Sequence, residues 1–241
     1  MKLYVVGIGP GNKDEITPRA RRAIAESDVV AGYTLYLEMI GDLIADKEVV
    51  ATPMKGEVER CRSAILEALG GKTVAMICSG DAGVYGMAGI VHELAQEHPN
   101  LEIEVIPGVT AACSAAAVLG APLAHDFVVV SLSDLLTDWN LIEKRIKMAA
   151  QADFIICIYN PSSKKRSDYL KKACEIVLEY SAPDTACGIV QNIGRSGENS
   201  AVMGLLSLKD TPVDMFTTVI IGNSQTKIIN GKLVTSRGYR L

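Results

Sequence analysis

Three segments of the sequence are rich in glycine or alanine, and each follows an apolar run. They are VVGIGPGN with Gly7, Gly9 and Gly11, SGDAGVYGMAG with Asp81, and VIPGVTAACSAAA with Thr110. Glycine lets the backbone approach a ligand closely and adopt a positive φ. In open α/β sheets ligands bind beyond the carboxyl ends of the strands. The three segments therefore predict a small-molecule site built largely from backbone groups.

The first segment does not match the dinucleotide fingerprint GxGxxG. Asn12 stands where the third glycine should be, and Pro10 stiffens the turn. The second apolar run ends in AGY, so the acid that would bind a ribose is missing there. A tight turn without a ligand is the alternative for this segment.

The other two segments also have purely structural interpretations. Asp81 could accept hydrogen bonds from ribose hydroxyls, or it could cap the helix that follows. Thr110 could cap a helix whose small residues only allow close packing on a sheet. From chemistry alone, both alternatives stay open.

The composition disfavours several classes of protein. The net charge of −4 argues against a nucleic-acid binder. Six cysteines without a CxxC pair and three dispersed histidines predict neither disulfides nor a metal site, and most cysteines are expected to be buried free thiols. The start MKLYVVGIGPG does not resemble a signal peptide, and no apolar run is long enough to span a membrane. We therefore expect a cytoplasmic protein without a membrane or nucleic-acid partner.

The segments lie in an alternation of strands and helices that predicts an α/β fold with two domains. In the first domain, residues 1–120, the strands LYVV, DVVA, KEVVA, TVAMIC and EIEVI predict a largely parallel sheet. The predicted helices begin at Thr17, cover 36–44 and 57–69, end near His98, and follow Thr110.

The segment LGAPLAHDF interrupts the pattern with Gly120 and Pro122, and we place the domain boundary there. The second domain, residues 121–241, has the strands VVVSL, FIICIY, TACGIV, SAVMGLL and TTVIIG and helices over 139–150 and 167–180. Because strands outnumber helices, we expect a mixed sheet. The pair Asn230-Gly231 predicts a hairpin with a type I′ turn.

Taken together, the motifs of the sequence resemble those of the tetrapyrrole, or precorrin, methylases. Five motifs occur in the order found in that family: VGIGPG, SGDAGVYG, PGVTA, YNPSSKKR and TTVIIGN. Five segments resemble the branch of the family that acts at C-17 of the ring: SGDAGVYGMAG, GAPLAHDF, SLSDLLTDW, PVDM and RGYRL. Ala82 stands where other branches commonly have a proline. The resemblance implies methylation of precorrin-3B or cobalt-factor III with ring contraction, to precorrin-4 or cobalt-precorrin-4, in cobalamin biosynthesis.

The resemblance also implies how the site is built. S-adenosylmethionine is the expected cofactor, with S-adenosylhomocysteine as product, and the tetrapyrrole lies in a trough between the two domains of a subunit that forms a homodimer. The expected cofactor-binding residues are Pro10, Ser79, Gly80, Asp81, Val84, Thr110, Ala111, Tyr159, Asn160, Asn192, Thr217 and Thr218.

Ring contraction needs proton movement, so polar residues are expected beside the methyl-transfer site. We predict Asp134, His125 and Ser131 as catalytic residues, because they lie in or near SLSDLLTDW after an apolar strand. A helix capped by Asp134 or Asp138 is the alternative.

The carboxylates of the substrate call for cations, and we predict Lys164, Arg166 and Arg145, which could equally be surface charges. Two other functions stay open: methylation of another corrin carbon, and a non-catalytic module that binds S-adenosylmethionine.

Overall fold

A computed structural model describes residues 1–163 and 166–240 of the chain. The predicted substrate-binding residue Lys164 lies outside these described residues. The chain divides into two compact units, Met1–Ala111 and Ala112–Leu241.

The first unit is built on a five-stranded sheet in the order β3-β2-β4-β1-β5, and every strand pair in it is parallel. This confirms the predicted parallel sheet. The strands are Lys2–Gly7 (β1), Val29–Tyr33 (β2), Glu48–Thr52 (β3), Thr73–Cys78 (β4) and Glu102–Ile106 (β5). The helices are Pro18–Ala25 (α1), Thr34–Met39 (α2), Glu57–Leu69 (α3), Ala88–Leu94 (α4) and Ala111–Leu119 (α5). Helix α5 begins at the last residue of the unit. Two 3₁₀ turns cover Lys13–Glu15 and Gly41–Leu43.

Local sequence explains several of these bounds. The Thr17 hydroxyl accepts a hydrogen bond from the Ala20 amide and Pro18 takes the first helical position, so α1 begins where predicted. The single helix predicted over 36–44 is wrong. The chain forms α2, leaves helical geometry at Ile40, and makes a 3₁₀ turn from Gly41, because glycine is a poor helix former.

The second unit contains a five-stranded mixed sheet, β10-β9-β11-β8-β7, and a three-stranded sheet, β12-β13-β6. Strand β11 is antiparallel to β8 and β9, whereas β7 and β8 are parallel, as expected of a mixed sheet. The strands are Gly120–Ala121 (β6), Phe127–Ser131 (β7), Ile155–Tyr159 (β8), Ala186–Gln191 (β9), Asn199–Gly204 (β10), Thr217–Ile221 (β11), Thr226–Ile229 (β12) and Lys232–Thr235 (β13). The helices are Trp139–Gln151 (α6), Tyr169–Leu178 (α7) and Leu205–Lys209 (α8).

Two details of the second unit test predictions made from the sequence, one on a turn and one on the length of a strand. Asn230 and Gly231 have φ of 50° and 75°, which is the pattern of the predicted type I′ turn. The strand predicted through SAVMGLL is too long, because β10 ends at Gly204 and the leucines that follow open α8.

Helix α5 explains why the second unit begins at Ala112, where we predicted a boundary after residue 120. A Cβ on Gly188 of β9 would lie 2.7 Å from Leu119 Cδ1 of α5, so the helix packs directly on the second sheet. The Ala112 amide also donates to the Tyr159 hydroxyl at the end of β8 (2.7 Å). Helix α5 therefore packs on the second sheet through Leu119, whereas the structural alternative for this segment placed the helix on the first sheet.

The cysteines are reduced, and all except Cys113 are buried, as predicted for most of them. Burial raises the pKa of the Cys61 thiol to about 11, so this group stays protonated and unreactive at neutral pH. Among the described residues, no helix combines the length and apolar character that crossing a membrane requires.

Candidate functional site

The three glycine-rich loops of the first unit meet at one edge of its sheet. They follow β4, β1 and β5, which are neighbours in the sheet and parallel, so their carboxyl ends lie side by side. Gly9 and Gly80 join two of the loops by a pair of backbone hydrogen bonds, with N–O distances of 3.0 and 2.7 Å. Both have positive φ, 76° and 67°, which explains why glycine stands at these positions.

Two further glycines are required by contact between the loops. A Cβ on Gly108 would lie 2.1 Å from the Gly80 carbonyl oxygen, and one on Gly7 would lie 2.7 Å from the Gly108 nitrogen. No side chain can occupy such positions without moving backbone. Gly7 and Gly108 therefore let the loops pack on one another, a role that the ligand-based explanation of these glycines did not anticipate.

Asp81 is the acid that joins the second and third loops. Its Oδ1 accepts hydrogen bonds from the amides of Gly83 (2.8 Å) and Val84 (3.1 Å), and its Oδ2 accepts one from the Gly108 amide (2.9 Å). Helix α4 begins only at Ala88, and no side chain caps it at Met87. The helix-cap interpretation of Asp81 is therefore wrong, because the carboxylate fixes loop backbone instead.

These contacts determine what the loop after β4 can offer a ligand. A carboxylate has about four lone-pair positions, and Asp81 already uses three of them for backbone amides. The amide hydrogens of Gly83 and Val84 are likewise donated to Asp81. These contacts leave the Asp81 carboxylate with about one lone pair that a ligand could use.

The tip of this loop is accessible. Val84 is 37% exposed, and Tyr85 is 57% exposed with a φ of 54°. The remaining residues predicted to bind the cofactor from this unit occupy the same edge: Pro10 after β1, Ser79 and Gly80 after β4, and Thr110 and Ala111 after β5.

The second unit likewise brings its predicted residues to one edge of a sheet. Strands β7, β8 and β9 end there, and the antiparallel β11 begins there. The carboxyl ends of β7, β8 and β9 and the start of β11 carry Ser131, Tyr159, Asn160, Asn192, Thr217 and Thr218.

Hydrogen bonds link several of these residues. Asn160 Nδ2 donates to Ser131 Oγ (2.9 Å), and Thr217 Oγ1 donates to Asp214 Oδ1 (2.9 Å). Asp214 Oδ2 also accepts from Gln191 Nε2 (2.7 Å). Asn160 has a φ of 52°, a left-handed conformation that asparagine tolerates better than most residues.

Asp134 lies beside this edge in a hydrogen-bonded cluster. Its Oδ2 accepts a short hydrogen bond from the Tyr169 hydroxyl (2.6 Å), and its Oδ1 lies 3.3 Å from Arg166 Nη1. Asp138, by contrast, caps α6 by accepting from the Asn140 amide (2.9 Å). Of the two aspartates considered as helix caps, only Asp138 has that role.

The cluster controls the charge of its members. The Tyr169 hydrogen bond, followed by smaller contributions from backbone and Arg166, lowers the pKa of the Asp134 carboxyl. The same hydrogen bond raises the pKa of the Tyr169 hydroxyl. At neutral pH, Asp134 is therefore an anion and Tyr169 keeps its proton.

His125 and Arg145 are not part of this cluster. His125 precedes β7, whereas Ser131 ends it, and a strand of five residues is about 16 Å long. His125 instead lines a cavity of about 250 Å³ with Asp153 and Asn223 among its other residues. Closeness in sequence to Asp134 was therefore misleading, because a strand separates the two. Arg145 is exposed on α6.

Tyr169 and Asp214 are contacts that the sequence reasoning missed. Tyr169 follows β8 and Asp134 follows β7, so the adjacency of these parallel strands is the signal that could have paired them. Among the described residues, no group of three or more His, Cys, Asp or Glu side chains could hold a metal ion.

Comparison with known proteins places the chain in a family. The family described as Tetrapyrrole (Corrin/Porphyrin) Methylases matches residues 2–208. A Priestia megaterium protein named Cobalt-factor III methyltransferase is 46% identical over 99% of this chain, which spans 45% of that protein's length. A Salmonella typhimurium protein named Probable cobalt-factor III C(17)-methyltransferase is 45% identical over 99% of this chain and 100% of that protein.

A solved structure supports the same relationship. The crystal structure of the methyltransferase CobJ superimposes with a TM-score of 0.90 at 33% identity, covering 97% of this chain and 99% of that one. The chain belongs to the tetrapyrrole methylase family.

Proposed function

We propose that this protein is an S-adenosylmethionine-dependent methyltransferase that methylates C-17 of precorrin-3B or cobalt-factor III and contracts the ring. The observation that carries the proposal is the sheet edge of the first unit, where Asp81 and the Gly9–Gly80 pair join three loops in a member of a methylase family. The names of the Priestia and Salmonella relatives favour this substrate class and, for the second, this carbon.

The first unit is proposed to hold the cofactor, which when bound supplies an electrophilic methyl group on sulfur. Methyl transfer is an in-line displacement, so the protein must chiefly align the reacting carbons and exclude water. Rigid loops serve that purpose, and no nucleophilic side chain is needed. The proposed contacts in this unit are Pro10, Ser79, Gly80, Asp81, Val84, Thr110 and Ala111.

For the second unit, the proposed cofactor contacts are Tyr159, Asn160, Asn192, Thr217 and Thr218. Their common position at one sheet edge supports the proposal. The Tyr159 hydroxyl accepts from the Ala112 amide, which fixes the tyrosine beside the start of α5.

Proton movement during ring contraction is assigned to the cluster at Asp134. Asp134 can accept a proton as an anion, and Tyr169 carries one that it shares with the carboxylate. Ser131 lies at the same sheet edge, held by Asn160. The position of His125 at the other end of β7 makes it the weaker candidate for this role.

The proposal is tested by incubating the protein with S-adenosylmethionine and each of the two tetrapyrroles, followed by mass spectrometry. We expect a product heavier by one methyl group with at least one of them. Cofactor binding without product from either would instead support the non-catalytic module.

The homodimer is proposed from the family resemblance, and the cytoplasmic location stays the expectation drawn from the sequence. Light scattering on the purified protein tests the first, since a monomeric mass at micromolar concentration would contradict it.

A further inference from the structure

We propose that Arg166 is a preformed anchor for one carboxylate of the tetrapyrrole, and that Tyr169 positions this anchor through Asp134. The inference rests on the proposed function, because it takes the acidic tetrapyrrole as the ligand. It assigns the recognition of one acidic side chain of the substrate to Arg166.

Three oxygen atoms hold the Arg166 guanidinium in place. Nε donates to Ser163 Oγ (3.0 Å), and Nη1 donates to Ser133 Oγ (2.8 Å) and to Asp134 Oδ1 (3.3 Å). Arginine has five N–H donors, so these contacts use three and leave the two on Nη2. Within residues 1–163 and 166–240, Nη2 has no hydrogen-bond partner.

The unused Nη2 group is within reach of a ligand. The Arg166 side chain is only 17% exposed, yet no buried side-chain nitrogen or oxygen of the described residues lacks a partner. Nη2 is therefore at least partly accessible to solvent, while most of the side chain is buried. A guanidinium that is already oriented and partly desolvated binds a carboxylate at a lower entropic cost than a mobile surface arginine.

Tyr169 fixes the other side of the cluster. Its hydroxyl holds Asp134 Oδ2 at 2.6 Å, and its ring packs on Trp139 with centroids 4.4 Å apart. Asp134 is thereby kept from rotating away from Arg166. Leu136, two residues after Asp134 in the same segment, is 98% exposed. A flat macrocycle with acidic arms presents the matching combination of apolar and anionic groups.

The test is the affinity of the purified protein for its tetrapyrrole, measured by absorbance titration, and KM and kcat where turnover is seen. The variants are Arg166→Gln, which removes the charge, and Arg166→Lys, which keeps the charge and loses the forked donors. We expect both to weaken tetrapyrrole binding or raise KM by about tenfold or more, with S-adenosylmethionine affinity within about twofold of wild type. Tyr169→Phe should weaken tetrapyrrole binding by a smaller factor.

The matched control is Lys171→Gln, which removes one exposed positive charge from α7 and should leave both affinities within about twofold of wild type. Tetrapyrrole affinity within twofold of wild type in Arg166→Gln overturns the anchor, as does full affinity in Arg166→Lys or equal loss of both affinities. Because binding is measured directly, failure of the anchor is distinct from failure of catalysis. A wild-type protein that binds tetrapyrrole but transfers no methyl group contradicts the proposed function alone.

Discussion

Asp81 is the residue on which the loops of the first unit depend most. Its two carboxylate oxygens accept three backbone amides, one of which, that of Gly108, belongs to a different loop. Both interpretations drawn from the sequence took Asp81 as acting on a ligand or on its own helix. The partner lies 27 residues away, and only the order of strands in the sheet brings it close.

Asp81→Asn should disrupt this connection while keeping the shape of the side chain. The asparagine oxygen can serve Gly83 and Val84, but its amino group then faces the Gly108 amide and leaves that donor without an acceptor. We expect a loss of about 1–3 kcal/mol in the free energy of unfolding and a fall of about tenfold in S-adenosylmethionine affinity. Denaturant unfolding and calorimetric titration measure the two effects.

Asp138→Asn is the control for that substitution, because asparagine caps a helix about as well as aspartate. Its stability should stay within about 0.5 kcal/mol of wild type. If Asp81→Asn behaves like Asp138→Asn in both measurements, Asp81 does not hold the loops together.

The pair formed by Asp134 and Tyr169 predicts a pH dependence of stability. The lowered pKa of Asp134 means that its contribution is fully present above the pKa of an unfolded aspartate, about 4, and is lost as the pH falls through the folded value. The raised pKa of Tyr169 means that its contribution is present below about 10 and is lost as the pH rises through the folded value.

Comparison of wild type with Tyr169→Phe isolates this contribution. The difference in their free energies of unfolding should be constant from about pH 5 to 9 and shrink below about pH 4. Denaturant unfolding across that range measures it, with Tyr239→Phe, a change at an exposed tyrosine near the carboxyl terminus, as a control without such a trend. A difference that is the same at pH 3 and pH 7 would rule out the pair.

Among the strands and helices, those whose residues follow one hydrophobic periodicity were predictable from sequence. Helix α3 and strands β4 and β5 have the predicted bounds. Glycines border α3 on both sides, and Pro107 follows β5. Helix α2 and strand β10 end earlier than predicted. In both places a glycine stops the element while apolar residues continue beyond it, so hydrophobicity alone overextends the prediction.

The close contact of the loops after β1, β4 and β5 predicts a strict requirement for glycine. In Gly108→Ala the new Cβ would lie 2.1 Å from the Gly80 carbonyl oxygen, so the loops must separate. We expect a loss of about 2 kcal/mol or more in the free energy of unfolding, together with loss of S-adenosylmethionine binding. Thermal unfolding and cofactor titration report these changes.

Gly89→Ala provides the comparison, at the end of the glycine-rich segment that contains Gly80. Gly89 lies in α4, and nothing stands within 4 Å of its new Cβ. Alanine in a helix should leave the protein as stable as wild type or more stable by up to about 1 kcal/mol. Equal effects of the two substitutions would mean that the loops do not meet as described.

In each of the two five-stranded sheets, residues predicted to form the site lie at one edge. In the first unit the sequence motifs predicted which segments would carry these residues, since each follows an apolar strand. In the second unit the residues were expected from the family resemblance, and Thr217 and Thr218 begin β11 rather than follow it. The motifs could not predict the contacts among side chains from different strands, such as Asn160 with Ser131, because these depend on strand order. The assignment of α5 to the second unit was missed for the same reason, since its packing on Gly188 joins distant parts of the sequence.

The central claim is methyl transfer to C-17 of a tetrapyrrole with contraction of its ring. It is tested most directly with S-adenosylmethionine carrying a ¹³C-labelled methyl group, followed by NMR of the product formed from precorrin-3B and from cobalt-factor III. The account predicts a product with the label on C-17 and with C-20 outside the contracted ring. A label on any other carbon, or no labelled product from either tetrapyrrole, would contradict it.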